Sequence, residues 1–172
     1  MRIFLPLVLL SATSCFAQEA PKKVDANPKD VESMDSIIKA VYDVISGPAG
    51  KRDMDRMRSL FVPKATLSYV VRNRAGELRY AGGDLDNYIK YSFPYLEQHG
   101  FFEREIHRHA DTYANMSQVF STYESRNNKD DKKPFERGIN SFQLLNDGKR
   151  WWVVSIYWQG EDGKTPIPRE WR

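Results

Sequence analysis

The sequence predicts an α+β domain, with helices concentrated in the first half of the chain and long antiparallel strands in the second. Apolar residues recur at intervals of three and four between Val31 and Ile45, which is typical of an amphipathic helix. Four β-rich runs follow residue 101, and Asp147-Gly148, a strong hairpin-turn sequence, separates the last two. The chain has 172 residues, which suits one domain with its own core.

Residues 1–17 are expected to be a signal peptide. A basic start precedes a short apolar run, and small residues precede a cleavage site after Ala17. The alternative is a lipoprotein anchored at Cys15, but Ala12 is a weak first residue for that signal. We therefore expect an exported protein, periplasmic or secreted, that spans no membrane. Cys15 is the only cysteine, so the mature chain would have no disulfide.

The first half of the mature chain predicts a tether and three helices. Residues 18–29 are polar with two prolines, and the domain itself is expected at 30–160. Asp30, Asp53 and Asp84 are suitable N-caps, and Gly or Pro follows each helical pattern. The predicted elements are helices at 30–45, 53–61 and 84–98, with strands at 65–71 and 77–81 before the third helix.

The second half predicts two long hairpins. Their strands are expected at 102–112, 116–126, 138–145 and 151–159, followed by a Gly/Pro-rich coil at 161–172. A turn at Ala114-Asn115 would pair Tyr113 with Met116. A two-residue turn at Asp147-Gly148 would pair Leu144 with Trp151 and continue without interruption.

The order of elements resembles the nuclear transport factor 2-like superfamily over about residues 31–160. Four short stretches also resemble this superfamily: Asp53-Met54-Asp55, the run from Leu60 to Ala65, Gly100-Phe101-Phe102, and the run from Asp147 to Trp151. The resemblance implies a cone-shaped curved antiparallel sheet that wraps around the helices and encloses a pocket. The superfamily includes polyketide cyclases, ketosteroid isomerase, dehydratases and many domains with no known reaction, so the fold does not supply the function.

The predicted registers place one set of polar side chains inside the cone. These candidate ligand-binding residues are Arg108, Ser121, Tyr123, Asn140, Ser155 and Tyr157. Arg108 would bind a carboxylate or phosphate of the ligand, or would instead form an internal ion pair with Asp43 or Glu97. The other polar side chains would orient the ligand or satisfy neighbouring backbone groups.

Other binding classes have weaker support. His107 and His109 share one strand face as a metal pair would, but that face is predicted to be solvated, so we expect no metal and no cofactor. The formal net charge is +3, and basic and acidic residues alternate along the chain, which does not fit a nucleic-acid-binding face.

The sequence therefore favours an exported domain that binds a small, acidic organic molecule. A cofactor-independent isomerase, cyclase or dehydratase is the first alternative. It would need to recruit Asp43, Asp84, Asp86 or a histidine as its acid or base, because the predicted inward strand positions offer no carboxylate. The second alternative is a protein-interaction domain that uses its outer sheet. An apolar outer stripe also predicts a homodimer; it consists of Ile139, Trp152, Val154, Ile156 and Trp158.

Overall fold

The structure, a computed structural model, describes residues 24–172. The predicted signal peptide, the cleavage site after Ala17, the alternative anchor at Cys15 and the first half of the tether lie outside these residues. Within the described part of the chain, every helix is too short or too polar to cross a membrane.

Four α-helices lie in the first half of the described residues, and the last of them follows two strands. They are α1 (Pro28–Val31), α2 (Met34–Ile45), α3 (Met54–Leu60) and α4 (Leu85–Gln98). The predicted first helix is divided in two because the Ser33 side chain accepts a hydrogen bond from the Ser36 N–H and starts a new helix. Asp53 and Asp84 cap α3 and α4 in the same way, as predicted, and Pro94 lies inside a continuous α4.

Six strands form one sheet in the order β2-β1-β6-β5-β4-β3. They are β1 (Phe61–Arg72), β2 (Leu78–Asp84), β3 (Phe102–Tyr113), β4 (Met116–Arg126), β5 (Glu136–Asn146) and β6 (Trp151–Gly160). All pairs are antiparallel except β1 with β6. The curved sheet packs its inner face against α2 and α4, which confirms the predicted α+β class.

The first long hairpin has the predicted turn but not the predicted register throughout. Tyr113 pairs with Met116 and Arg108 with Ser121, as expected. Ile106 is an extra residue in β3, so Glu105 pairs with Tyr123 while His107 pairs with Thr122. Because side chains alternate along a strand, this β-bulge reverses the facing of every residue before it. Glu103 was predicted to face outward and instead faces inward.

The register predicted for the second hairpin was wrong. Asn146 pairs with Trp151, so the connection contains four residues, and the Asp147 carboxylate accepts hydrogen bonds from the N–H groups of Lys149 and Arg150. This side-chain cap stabilises a wider turn than the two-residue one predicted. Val154 then adds a second β-bulge, with Leu144 opposite Val153 and Gln143 opposite Ser155.

This second bulge overturns two assignments. Ser155 and Tyr157 were placed inside the cone, but they lie on the outer face, where Tyr157 is exposed. Ile156 and Trp158 were placed in the outer stripe, but Ile156 is buried in the core and Trp158 packs against it. Only Ile139, Trp152 and Val154 of the five predicted stripe residues remain on the outer side.

The C-terminal segment 161–172 covers part of that outer face. Ile167 is buried, and Trp171, in a short 3-10 helix, packs on Phe120 with 4.9 Å between ring centroids. Thr122 in β4 donates a hydrogen bond to the Trp171 carbonyl at 2.7 Å and is itself fully buried. The chain therefore covers with its own residues an apolar surface that the sequence had assigned to a second copy.

If this segment is part of the folded core, Ile167→Ala should lower the free energy of unfolding by about 2–3 kcal/mol, because it removes a buried side chain and leaves a cavity. Urea denaturation would measure the change, with the exposed Lys164→Ala as the control. Equal midpoints for Ile167→Ala and wild type would show that the segment does not stay on the sheet.

Candidate active-site cavity

A cavity of about 220 Å³ lies between the inner face of the sheet and helices α2 and α4. Apolar side chains form most of its wall, and the polar groups come from a few positions on the helices and strands. The residues that line it include Val41, Tyr42, Ile45, Met57, Leu67, Tyr88, Ser92, Leu96, Phe101, Glu103, Tyr123, Glu136, Asn140, Phe142, Ile156 and Trp158. An apolar cavity with a few convergent polar groups is typical of a small-molecule site.

The mouth of the cavity lies between α4, the start of β5 and the end of β6. Ser92, Glu136 and Trp158 line both the cavity and an outer groove that also contains Tyr69 and Arg72. Tyr69 stacks on Trp158 with 5.2 Å between ring centroids, and Tyr88 meets Trp158 edge-on at 6.2 Å. The tryptophan ring is thus held between two tyrosines at the entrance.

Glu103 is the acidic group inside this cavity. Its carboxylate accepts a hydrogen bond from the Ser125 hydroxyl at 2.7 Å. Burial raises the pKa of Glu103 to about 7; the Glu136 carboxylate also raises this pKa, while hydrogen bonds from Ser125 and Asn140 lower it. Desolvation disfavours the charged form, so the carboxyl changes protonation state near neutral pH.

Glu136 lies at the mouth and is paired with a phenol. Tyr123 donates a hydrogen bond to the Glu136 carboxylate at 2.8 Å, and burial raises the pKa of Tyr123 far above its usual value. Gly138 makes this contact possible, because a Cβ atom at that position would lie 2.5 Å from the Tyr123 hydroxyl oxygen. Tyr123 therefore serves as a hydrogen-bond donor and remains protonated.

A chain of hydrogen bonds leads from the cavity to the surface. The Asn140 amide donates to the Tyr42 hydroxyl at 3.0 Å, Tyr42 and Ser121 are hydrogen bonded at 2.7 Å, and the Ser121 hydroxyl donates to the Glu105 carboxylate. Since Ser121 uses its only proton for Glu105, Tyr42 must be the donor to Ser121. This order fixes the orientation of the Asn140 amide, whose N–H groups point toward Tyr42 and Glu103.

Arg108 does not line the cavity and is already paired. Its guanidinium contacts the Glu105 carboxylate at 2.7 Å and also forms an ion pair with Asp35. The internal ion pair weighed in the sequence analysis is therefore present, with Glu105 and Asp35 as partners in place of Asp43 or Glu97. Arg108 holds the outer end of the hydrogen-bond chain through its ion pair with Glu105.

The other sequence-predicted residues separate into two groups. Tyr123 and Asn140 line the cavity, and Ser121 reaches it through Tyr42. Ser155 and Tyr157 do not line it, because the bulge at Val154 turns them outward. Sequence reasoning missed Glu103, Glu136, Tyr42 and Tyr88. The apolar periodicity of α2 and α4 could have placed Tyr42 and Tyr88 on the inner side of their helices. Simple alternation along β3, in contrast, wrongly predicted that Glu103 faces outward.

Residues 24–172 contain no group of three or more histidine, cysteine, aspartate or glutamate side chains that could hold a metal ion. His109 lies on the solvated side of β3 beside Asp111, with 3.1 Å between the imidazole Nε2 and a carboxylate oxygen.

The raised pKa of Glu103 predicts a specific pH dependence of stability. Between its ordinary value near 4.5 and about 7, the folded chain binds more protons than the unfolded chain, so stability falls as pH rises through this range. Glu103→Gln removes the ionisable group. At pH 8 it should be more stable than wild type by on the order of 2–3 kcal/mol, since one pKa unit corresponds to about 1.4 kcal/mol.

Denaturant titrations between pH 4 and pH 8 would measure this difference, with Glu32→Gln, an exposed carboxylate, as the control. The gain should disappear toward pH 4, where Glu103 is protonated in both states. A gain that is the same at all pH values would contradict a raised pKa for Glu103.

Arg108→Ala should destabilise the fold by about 1–3 kcal/mol, because it leaves the partly buried Glu105 carboxylate without its cation. Asp35→Ala is the matched control: it removes the exposed partner of the same guanidinium and should cost less than about 1 kcal/mol. Thermal and urea unfolding would compare the two variants. An unchanged stability for Arg108→Ala would show that the Glu105 pair contributes nothing.

Comparison with known proteins identifies the fold. No family model matches the sequence, and no curated protein matches it significantly. Among solved structures, a proposed dehydratase of the NTF2-like family from Streptomyces avermitilis matches with a TM-score of 0.56 at 12% identity, over 78% of this chain and 97% of that one. A protein of unknown function with a cystatin-like fold from Nostoc punctiforme PCC 73102 matches with a TM-score of 0.56 at 10% identity, covering 76% and 90%.

A proposed ketosteroid isomerase from Parabacteroides distasonis ATCC 8503 matches with a TM-score of 0.52 at 12% identity, over 83% of this chain and 99% of that one. At such low identities, these likenesses establish the architecture and leave the activity open. The chain therefore has the nuclear transport factor 2-like fold.

Proposed function

We propose that the cavity binds a small organic molecule and that Glu103 transfers a proton to or from it, without a cofactor. The observation that carries this proposal is a carboxyl group inside an apolar cavity with a pKa near 7. A general acid or base is most effective when its pKa lies near the working pH. A perturbed carboxyl group in a concave site is also the usual mark of a functional residue.

The surrounding groups suit this role. Ser125 and Asn140 donate hydrogen bonds to Glu103 and keep its carboxylate from rotating freely. Tyr42 fixes Asn140 through the chain that ends at Glu105. A proton acceptor held in one orientation has less motion to lose when the substrate binds.

The size of the cavity limits the substrate. An apolar cavity of about 150 Å³ is large enough to hold benzene, so 220 Å³ fits a single ring with a substituent. The mouth opens into the outer groove, where a longer ligand would extend. Two of the structural neighbours are a proposed dehydratase and a proposed isomerase, which supports a proton-transfer reaction only by analogy of fold.

The acidic ligand expected from the sequence has lost its support, because Arg108 is paired with carboxylates and lies off the cavity. The homodimer and the interaction domain keep only part of their support, because the C-terminal segment covers part of the outer face and Ile156 and Trp158 lie inside, while Val154 remains exposed. Export after cleavage at Ala17 stays a prediction from the sequence.

Deuterium exchange into a small ketone tests proton transfer directly. Cyclohex-2-enone has seven non-hydrogen atoms, and a carboxylate base can remove a proton next to its conjugated carbonyl system and return a deuteron from D₂O. NMR would follow the loss of the C–H signal. The exchange rate with wild-type protein should exceed the rate in buffer alone by about a hundredfold or more. Glu103→Gln should lose this acceleration.

The rate should rise with pH through about 7 and then level off, because the reaction needs the ionised carboxylate. Glu32→Gln is again the control and should behave as wild type. Binding of the ketone, seen as a shift of the Trp158 indole N–H resonance, without exchange above the Glu103→Gln rate would contradict proton transfer. No binding would contradict the cavity as a ligand site.

A further inference from the structure

We propose that the cavity selects an organic cation, a compact amine of about one ring, over neutral and anionic molecules of the same shape. This inference rests on the proposed function, because it names the class of ligand for the same cavity. The charges, the aromatic walls and the state of the nearby arginines support it independently of any reaction.

The charged groups of the cavity are all acidic. Glu103 lies inside and Glu136 at the mouth, and the lining contributed by residues 24–172 includes no lysine, arginine or histidine. A cavity with low-dielectric walls and one sign of charge attracts ligands of the opposite charge. An anion would instead enter beside two carboxylates with no cationic partner.

The arginines around the cavity are engaged elsewhere. Arg104 and Arg126, which share an outer groove with Glu103, both contact the Glu124 carboxylate at 2.6 Å. Arg108 is held by Glu105 and Asp35. Arg72, in the groove outside the mouth, contacts the Asp162 carboxylate at 3.1 Å. Moving any of these arginines to an anionic ligand would break an existing ion pair with a carboxylate.

The walls supply the second feature that a cation prefers. The aromatic side chains of the lining are Tyr42, Tyr88, Phe101, Tyr123, Phe142 and Trp158. Ring faces attract cations through their quadrupoles, and tryptophan does so most strongly. Tyr69 covers one face of the Trp158 ring and Tyr88 meets the ring edge-on, so Trp158 is held in place at the entrance.

Cation binding should be linked to proton release. The titratable groups that face Glu103 across the cavity are Tyr42 from α2, Tyr88 from α4, Tyr123 from β4 and Glu136 from β5. The charged groups that share the outer groove with Glu103 are Arg104, Arg126, Lys129, Asp130 and Asp131. Burial raises the pKa of each of these three tyrosines, so they stay neutral. A bound ammonium group favours the ionised form of Glu103, and a fraction of a proton should therefore leave this carboxyl near pH 7.

Three probes of matched size test the inference on the full chain: benzylamine as its cation, benzyl alcohol, and benzoate. Isothermal titration calorimetry at pH 6 and pH 8, in two buffers of different ionisation enthalpy, would give both affinity and proton release. At pH 8, benzylammonium should bind about tenfold or more tightly than benzyl alcohol, and benzoate should bind most weakly. Benzylammonium should bind more weakly at pH 6 and should release protons there.

Glu103→Gln keeps the shape of the side chain and removes its charge. It should bring benzylammonium close to the affinity of benzyl alcohol, abolish proton release, and leave benzyl alcohol binding nearly unchanged. Glu136→Gln should weaken benzylammonium by a smaller factor, since this group lies at the exposed mouth. Glu32→Gln should change none of these values.

The outcomes separate the two proposals. Equal affinity for benzylammonium and benzyl alcohol, or tighter binding of benzoate, would overturn the selection for cations and leave the cavity standing as a ligand site. Failure of all three probes to bind would overturn both proposals. The comparison among probes uses wild-type protein, so it holds even if a variant fails to fold.

Discussion

The structure depends on the strict alternation of side chains along a strand and on two places where an extra residue interrupts it. In β3, the extra residue is Ile106. Residues after the bulge, such as Arg108, face the side of the sheet that simple alternation predicts. Glu103, which precedes the bulge, faces inward instead of outward. Without this bulge, Glu103 would lie on the outer face and the cavity would lose its internal carboxyl group. One inserted residue thus decides on which face of the sheet this carboxyl group lies.

The bulge at Val154 in β6 has the complementary effect. It turns Ile156 and Trp158 toward the helices and releases Tyr157 to the outer face. Bulges also bend and twist the strands that contain them, and a sheet needs such bending to curl around its helices. The same two irregularities therefore contribute to the curvature of the sheet and to the lining of its cavity. The bulge at Ile106 places Glu103 inside the cavity, and the bulge at Val154 places Trp158 at its entrance.

The cavity has a cost in stability that the rest of the fold offsets. A carboxyl group in an apolar site is unfavourable when ionised, and Ser125 and Asn140 only partly compensate Glu103. Near it, Asn140 of β5 and Ser121 of β4 belong to a chain of hydrogen bonds that ends at the ion pair between Glu105 and Arg108. On the opposite side of the sheet, the C-terminal segment buries Ile167 and Thr122. Functional sites commonly store this kind of local instability in an otherwise stable scaffold.

The sequence by itself determined the class of fold, the order of its elements and the position of most helix caps and turns. These features follow from local signals: the helical period between Val31 and Ile45, the N-caps at Asp53 and Asp84, and the Ala114-Asn115 turn. It also placed Tyr123 and Asn140 inside correctly, because β4 and β5 contain no bulge and alternation holds along them. Only the tertiary structure decided the facing of Glu103, Ser155 and Trp158. A bulge is set by how neighbouring strands pair and bend together, and a single strand's pattern does not record it.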